Sequence, residues 1–170
     1  MGGSGQGIFA LDVLSLSQQI LDICRTKSLR ITTAESCTGG LIAGTLTEIP
    51  GSSDMFERGY VTYSNGAKSD MLGVKAATLN EFGAVSQQVA MEMAKGALVS
   101  AGADLALAIT GIAGPGGSDH KPEGRVCFAL AVKNQTCSSE TIEFLALGRQ
   151  KVRKAAVLHG LKMIVTRLSR

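Results

Sequence analysis

Apolar residues recur at helical or strand-like spacing along the chain from Leu11 to the C-terminus. Apolar positions spaced three and four residues apart predict helices at 11–27, 41–48, 67–72, 86–101 and 150–168. Runs of strand length that are β-branched or continuously apolar predict strands at 29–34, 58–64, 104–110, 124–133 and 138–147. The last two strands flank a polar turn and are expected to pair as a hairpin. The alternation of strands and helices therefore predicts an open α/β sandwich with at least one antiparallel strand.

Composition narrows the class of protein. A chain of 170 residues corresponds to one domain, here 11–170, preceded by a flexible, glycine-containing leader at 1–10. Apolar residues make up 45% and charged residues 18%, which excludes a disordered chain. Aromatic residues reach only 4%, so stacking platforms for single-stranded nucleic acid are not expected. Because apolar runs stay well below the ~18 residues of a membrane span, we expect no membrane partner.

The cysteines and histidines have no metal-site spacing. The four cysteines are widely separated and form no C-x-x-C pair, and there are only two histidines: Cys24, Cys37, Cys127, Cys137, His120 and His159. We therefore expect reduced thiols, a cytoplasmic location, and neither a metal nor any other cofactor.

The C-terminal end of the chain is strongly basic. Seven basic residues and no acidic one lie between Arg149 and Arg170, although the formal net charge of the chain is only +3. A basic helix could contact nucleic acid or an anionic substrate. It is equally typical of a solvated helix whose cations favour the helix C-terminus, and we prefer that interpretation for most of these residues.

Three polar segments follow predicted strands, where an α/β sheet presents its functional residues. They occupy residues 35–40 (ESCTGG), 63–68 (YSNGAK) and 110–118 (TGIAGPGGS). In the first, Ser36 lies near the free N–H groups of a helix start, which favour a phosphate or the oxyanion formed when a serine attacks a carbonyl. Spacing alone favours a simpler interpretation, in which Ser36 or Thr38 caps the helix.

The second segment contains two residues that could act as a base. A serine nucleophile needs a base, and neither histidine has an obvious carboxylate partner in the sequence. A lysine whose pKa is lowered by burial, or a tyrosine beside it, can replace histidine. Lys68 and Tyr63 fit that description. The same sequence is also consistent with a non-catalytic interpretation, in which Lys68 is an exposed lysine in a turn and Tyr63 belongs to the core.

The third segment imitates a phosphate-binding P-loop without its lysine. Gly111 and Gly116 have the P-loop separation, but Gly117 stands at the lysine position. The dinucleotide fingerprint also fails, because Asp119 stands where its third glycine belongs. A loop of backbone donors around a small anion and a plain glycine-rich connection remain about equally supported.

Together with shorter motifs, these segments resemble the CinA C-terminal domain family over 11–170. The matching residues are 33–40, 50–53, 63–65 with Lys68, 72–74, 83–86, 110–117, 148–149 and 152–153. This chain departs from the family by reading Leu147-Gly148-Arg149, where members usually have an acidic residue before the arginine. The N-terminal domain of some members, which resembles molybdopterin-binding proteins, is expected to be absent.

The resemblance implies a three-layer α/β/α sandwich with a mixed, mostly parallel sheet. It also implies an activity: hydrolysis of the carboxamide of nicotinamide mononucleotide to nicotinic acid mononucleotide and ammonia, in NAD recycling. Ser36 would be the nucleophile, Lys68 the general base, and Tyr63 a proton relay or orienting group. Which of Lys68 and Tyr63 is the base stays open at this point.

The resemblance further implies a substrate-binding set. It comprises Glu35, Cys37, Thr38, Gly39, Gly40, Thr110, Gly111, Gly114, Gly116, Gly117 and Arg149. Backbone N–H groups near Cys37 and Thr38 would hold the oxyanion, the glycine loop would shape the pocket, and Arg149 would contact the substrate phosphate or a nearby carboxylate. The expected partner is a small-molecule nucleotide, and a homo-oligomer is left open.

Two alternatives to this activity belong to other functional classes. One is a nucleic-acid-associated module on the basic C-terminal helix, whose binding would weaken steeply with salt. The other is a non-catalytic nucleotide-binding domain. The joint presence of Ser36, Tyr63 and Lys68 argues against the second alternative.

Overall fold

The computed structural model describes residues 9–118 and 120–170. The helices are α1 (Leu11–Lys27), α2 (Leu41–Thr47), α3 (Asn65–Leu72), α4 (Ala76–Phe82), α5 (Gln87–Ala101) and α6 (Arg149–Leu168). The strands are β1 (Ile31–Glu35), β2 (Phe56–Val61), β3 (Leu105–Gly111), β4 (Arg125–Val132) and β5 (Ser138–Glu143). Residues 1–8 of the predicted leader lie outside the described residues, and the next two, Phe9 and Ala10, pack against the core.

The five strands form one sheet in the order β2-β1-β3-β4-β5. Strand β1 pairs in parallel with β2 and β3, whereas β4 pairs antiparallel with β3 and β5. Four of the described strands therefore run in one direction, and the predicted mixed, mostly parallel sheet is confirmed. Glu35, at the end of β1, lies beside Val61 of β2 and Ile109 of β3. The carboxyl ends of these three strands meet at one edge, where the polar segments begin.

Helices cover both faces of the sheet, which confirms the three-layer sandwich. Helices α1, α2 and α6 pack together on one face, and α3, α4 and α5 lie on the other. Strand β3 serves both layers by alternation: Leu107 and Ile109 enter the first core, whereas Ala106 and Ala108 face the second. Among the residues described, no helix is long and apolar enough to cross a membrane.

Several element boundaries differ from the prediction, for local reasons. Strand β2 ends at Val61 rather than at residue 64, because the Ser64 hydroxyl caps α3 by accepting a hydrogen bond from the Ala67 N–H at 3.0 Å. Helix α4 was not predicted; it has no fully buried residue, so it lacks an apolar face that periodicity could detect. Strand β5 ends at Glu143, shortly before Leu145 adopts a positive φ of 65°.

The carboxylate of Glu35 holds the N-terminus of α2 instead of facing a ligand. It accepts hydrogen bonds from the Thr38 hydroxyl at 2.7 Å and from the Ile42 and Ala43 N–H groups at 3.0 Å each. The side chain is fully buried. The first N–H groups of a helix have no acceptor within the helix, and the Glu35 carboxylate accepts hydrogen bonds from two of them. The structure thus places Glu35, expected among the substrate contacts, beneath the turn that it stabilises.

Replacing Glu35 by glutamine should destabilise the protein. Glutamine offers one acceptor oxygen and an NH₂ group, so at least one buried donor would lose its partner. We expect the free energy of unfolding to fall by about 2 kcal/mol, the usual cost of a buried unsatisfied polar group. Urea denaturation measures the change, and Glu48→Gln, at an exposed position beside α2, should stay within about 0.5 kcal/mol of wild type. A Glu35→Gln protein with wild-type stability and weakened substrate binding would restore Glu35 as a ligand.

Candidate active site

A cavity of about 330 Å³ opens where β1 and β3 end. This volume lies in the range of small-ligand sites. Residues from all three polar segments line it, so the tertiary structure brings together parts of the chain that are far apart in sequence. Of the predicted site residues, the lining contains Ser36, Cys37, Tyr63, Lys68, Thr110, Gly111, Gly114, Gly116 and Arg149.

The side chains of Ser36 and Lys68 meet in the wall of this cavity. Ser36 follows β1 directly, and Lys68 projects from the first turn of α3. The distance between Ser36 Oγ and Lys68 Nζ is 3.0 Å. Lys68 is only 1% exposed, and its amine also contacts the carbonyl oxygens of Thr62 at 2.8 Å and Tyr63 at 3.4 Å.

Burial makes the neutral form of the Lys68 amine easier to reach than it is in an exposed lysine. Burial removes water from the amine and lowers its pKa, an effect that the charge of the nearby Cys37 thiolate would partly oppose. Within the described ranges, Lys68 has no salt-bridge partner. A neutral amine can donate its two N–H groups to the Thr62 and Tyr63 carbonyls. Its lone pair is then free to accept the Ser36 O–H, as a base for that hydroxyl must.

Cys37, the neighbour of Ser36, is poorly suited to attack. Its side chain lines the cavity but is only 5% exposed. Burial raises the pKa of the Cys37 thiol to about 12. Because the thiolate is the nucleophilic form of cysteine, this shift disfavours attack by Cys37.

The turn formed by residues 36–40, called the Ser36 turn below, presents free backbone donors. The Ser36 N–H donates to the Ile109 carbonyl at 2.9 Å, and the Gly39 N–H donates back to the Ser36 carbonyl at 3.0 Å. For the part of the chain described, the hydrogen bonds leave the N–H groups of Cys37 and Thr38 without an acceptor. These are the two groups that the sequence analysis assigned to an oxyanion.

Arg149 and Tyr63 lie together at the mouth of the cavity. The Arg149 guanidinium donates to the Tyr63 hydroxyl at 2.9 Å and to the Gly114 carbonyl at 3.2 Å. Tyr63 is 60% exposed. Its backbone carbonyl contacts Lys68, but its phenol pairs with Arg149. This position suits an orienting group better than a proton relay.

Glu123, which sequence reasoning missed, ties the glycine loop to α6. Its carboxylate accepts the Gly116 N–H at 2.7 Å and the Gly148 N–H at 3.0 Å. A Cβ at Gly114 would lie 2.3 Å from Cδ of Glu123, so the loop needs glycine there for close approach as well as for its φ of 87°. Glu123 lies outside every recognised motif, and its role depends on contacts that no local pattern encodes.

Several predicted contacts lie beside or beneath the cavity rather than in it. They are Glu35, Thr38, Gly39, Gly40 and Gly117. The Thr38 hydroxyl turns toward Glu35, while Gly39 and Gly40 adopt left-handed φ values of 59° and 91° that reverse the chain. Additional lining residues were not predicted: Asn65, Ala84, Val85, Ile112, Ala113 and Pro115. All of them lie within the quoted motifs, and that adjacency was the available signal.

The structure also locates the remaining titratable groups. In residues 9–118 and 120–170, no group of three or more histidine, cysteine or carboxylate side chains is arranged to hold a metal ion.

Of the seven basic residues at the C-terminal end, Arg149 faces the cavity and Arg153 contacts the Ser36 turn. These two are therefore part of the site rather than of a solvated basic stripe.

Sequence comparison relates the chain to proteins of known function. Residues 13–168 match the family model described as the CinA C-terminal domain. The nicotinamide-nucleotide amidohydrolase PncC of Escherichia coli K12 is 47% identical over 157 residues, which cover 90% of this chain and 93% of that protein. PncC of Enterobacter agglomerans is 49% identical, with 86% and 90% covered.

Structural comparison gives the same relationship. The crystal structure of the competence/damage inducible protein CihA from Agrobacterium tumefaciens matches with a TM-score of 0.93 at 46% identity, covering 97% of this chain and all of that one. A longer relative from Caldicellulosiruptor saccharolyticus, 44% identical and named for competence and damage induction, is matched over only 37% of its own length. The family model spans nearly all of the sequence and the fold agrees throughout, so the chain belongs to the CinA C-terminal domain family.

Proposed function

We propose that the protein hydrolyses the carboxamide of nicotinamide mononucleotide, releasing nicotinic acid mononucleotide and ammonia. The observation that carries this proposal is the contact of 3.0 Å between Ser36 Oγ and the buried amine of Lys68, in a cavity with Arg149 at its mouth. The E. coli and Enterobacter relatives named nicotinamide-nucleotide amidohydrolase, at 47% and 49% identity, support the substrate.

The cavity offers complementary positions for the two ends of this substrate. The carboxamide lies against Ser36, and the phosphate lies toward Arg149. Arg149 contacts only neutral oxygens, and over the described ranges it has no carboxylate partner, so its charge is available to an anion. The N-terminus of α6 starts at the same residue and adds a favourable partial positive charge.

In the first half of the reaction, Ser36 Oγ attacks the amide carbon while its proton passes to Lys68. The carbonyl oxygen becomes an oxyanion, which the Cys37 and Thr38 N–H groups stabilise. Lys68 then donates a proton to the amide nitrogen, the C–N bond breaks, and ammonia leaves. An ester between Ser36 and the nicotinoyl group remains.

In the second half, water hydrolyses this ester. Lys68, neutral again after ammonia departs, takes a proton from the attacking water. The same N–H groups stabilise the second oxyanion. The ester bond breaks, Ser36 recovers its proton from Lys68, and nicotinic acid mononucleotide is released. Tyr63 orients Arg149 toward the phosphate through their hydrogen bond of 2.9 Å.

No specific observation favours the nucleic-acid alternative. The cytoplasmic location remains a prediction, and a homo-oligomer is still left open.

The proposed activity is tested by incubating the protein with nicotinamide mononucleotide. We expect one ammonia and one nicotinic acid mononucleotide for each substrate consumed, measured by coupled ammonia detection and chromatography. Turnover should change little between low and moderate salt. If the protein releases ammonia from a different amide but not from nicotinamide mononucleotide, the proposed amide hydrolysis stands and the proposed substrate is wrong.

Replacing Ser36 by alanine should nearly abolish turnover, whereas replacing Cys37 by alanine should leave most of it. Loss of a nucleophile costs on the order of 10⁴–10⁶ in turnover, and a packing change beside it costs far less. Steady-state kinetics measures both variants, and Cys37→Ala is the matched control one residue away. The turnover of this variant should also resist thiol-alkylating reagents. The opposite pattern would make the enzyme a cysteine amidase.

The rate should rise with pH as Lys68 loses its proton. Burial lowers the Lys68 pKa below its ordinary value of 10.5, so the neutral, basic form gains population at lower pH than for an exposed lysine. Turnover should increase through that pKa and level off above it. Lys68→Arg keeps the charge but stays protonated, and it should lose about 10²–10⁴ in turnover. The exposed Lys75→Arg is its control. Near-normal turnover in Lys68→Arg would leave Tyr63 as the base.

A further inference from the structure

Arg153 reaches from α6 to the Ser36 turn and contacts two consecutive carbonyl groups. Its Nε donates to the Cys37 carbonyl at 3.1 Å, and its Nη2 donates to the Thr38 carbonyl at 3.1 Å. Arg153 lies one helical turn after Arg149, so both arginines project from the same side of α6. The side chain is half-buried and does not line the cavity.

The planarity of the peptide bond gives these contacts a consequence for the site. In a trans peptide the C=O and N–H groups point in opposite directions. A guanidinium that holds the Cys37 carbonyl therefore directs the Thr38 N–H away from α6. The Cys37 N–H shares its peptide with the Ser36 carbonyl, which the Gly39 N–H holds at 3.0 Å. The two peptides that carry the Cys37 and Thr38 N–H groups are thus fixed from their carbonyl side.

The Ser36 turn needs such support because its own backbone is unusual. Gly39 and Gly40 adopt successive left-handed conformations, and glycine loses more conformational freedom on folding than any other residue. A Cβ at Gly39 would lie 3.4 Å from Nη2 of Arg153, which shows how closely the guanidinium packs on the turn. A cation on a carbonyl oxygen also polarises the peptide and strengthens the N–H on its other side as a donor.

We propose that Arg153 is a positioning residue that aims and polarises the Thr38 N–H, and with it the oxyanion site beside Ser36. This inference rests on the proposed amidohydrolase function. Arg153 touches neither the substrate nor Ser36 Oγ; it acts through the backbone of the turn. Its planar fork spans two adjacent carbonyls, whereas the single ammonium of a lysine is a point charge without that geometry. Arginine rather than positive charge is therefore the requirement.

The experiment compares Arg153→Met and Arg153→Lys with Lys154→Met, the matched loss of a charge at the next, exposed position of α6. Two reactions are measured: hydrolysis of nicotinamide mononucleotide, and labelling of Ser36 by a fluorophosphonate. In the second, Ser36 oxygen bonds to phosphorus, fluoride leaves, and the serine proton passes to Lys68. Labelling needs the oxyanion site but not the amide substrate, so it is independent of the proposed function. Urea denaturation of each variant measures folding.

For Arg153→Met we expect kcat to fall about 10- to 100-fold, less than the roughly 10²–10³-fold cost of deleting an oxyanion donor outright. KM should stay within about twofold, and fluorophosphonate labelling should slow in parallel with kcat. The kcat of Arg153→Lys should exceed that of Arg153→Met by less than about threefold. The pKa in the pH profile of kcat should stay at its wild-type value, because Lys68 is untouched. Lys154→Met should match wild type in both reactions.

Other outcomes overturn one proposal or the other. Wild-type kcat and labelling rates in Arg153→Met, a loss confined to KM, or full rescue by lysine would each disprove the positioning role. If the wild-type protein is labelled at Ser36 but does not hydrolyse nicotinamide mononucleotide, the substrate proposal fails and the labelling rates still decide on Arg153. If wild type is neither labelled nor active, the serine mechanism fails and the role of Arg153 fails with it. Should Arg153→Met not fold, Arg153→Lys decides.

Discussion

The burial of an amine without a carboxylate is the constraint on which the site depends. A charged Lys68 at this depth would cost several kcal/mol in lost hydration, and no described acidic side chain compensates it. The polar partners of the amine are two carbonyl oxygens and one hydroxyl, all of them uncharged. Those carbonyls are available because β2 stops at Val61 and the chain turns at Ser64 into α3. The end of a strand thus creates the base's environment.

The carboxylates nearest the cavity are engaged by backbone N–H groups, which keeps the site favourable to anions. Glu35 is held by the start of α2, and Glu123 by the N–H groups of Gly116 and Gly148. Arg149 and Arg153, by contrast, contact only neutral oxygens. Two arginines that contact only neutral oxygens therefore lie at or beside a cavity whose proposed substrate is a phosphate ester and whose proposed intermediate is an oxyanion. The N-terminus of α6, which begins at Arg149, acts in the same direction.

Much of the fold was predictable, because its signals are local. Strand β3 is an apolar run whose alternate residues serve two cores, and the α5 sequence carries a small apolar face with its Ser86 cap. Helix α4 was not predicted, because no residue in it is fully buried. The end of β2 was predicted three residues too late, because the Ser64 hydroxyl caps the start of α3.

The sequence by itself determined the order of the strands and of every described helix except α4, the family resemblance, and the three segments from which the cavity is built. Only the tertiary structure decided which side chains of those segments face each other. Ser36 and Lys68 are 32 residues apart, and Arg153 reaches the Cys37 carbonyl across 116 residues. Glu35 and Ser36 are neighbours in the sequence, yet the Glu35 carboxylate accepts from the N–H groups of α2 whereas Ser36 lines the cavity. Side-chain direction there depends on backbone dihedrals and distant contacts, and composition and spacing do not encode either of these.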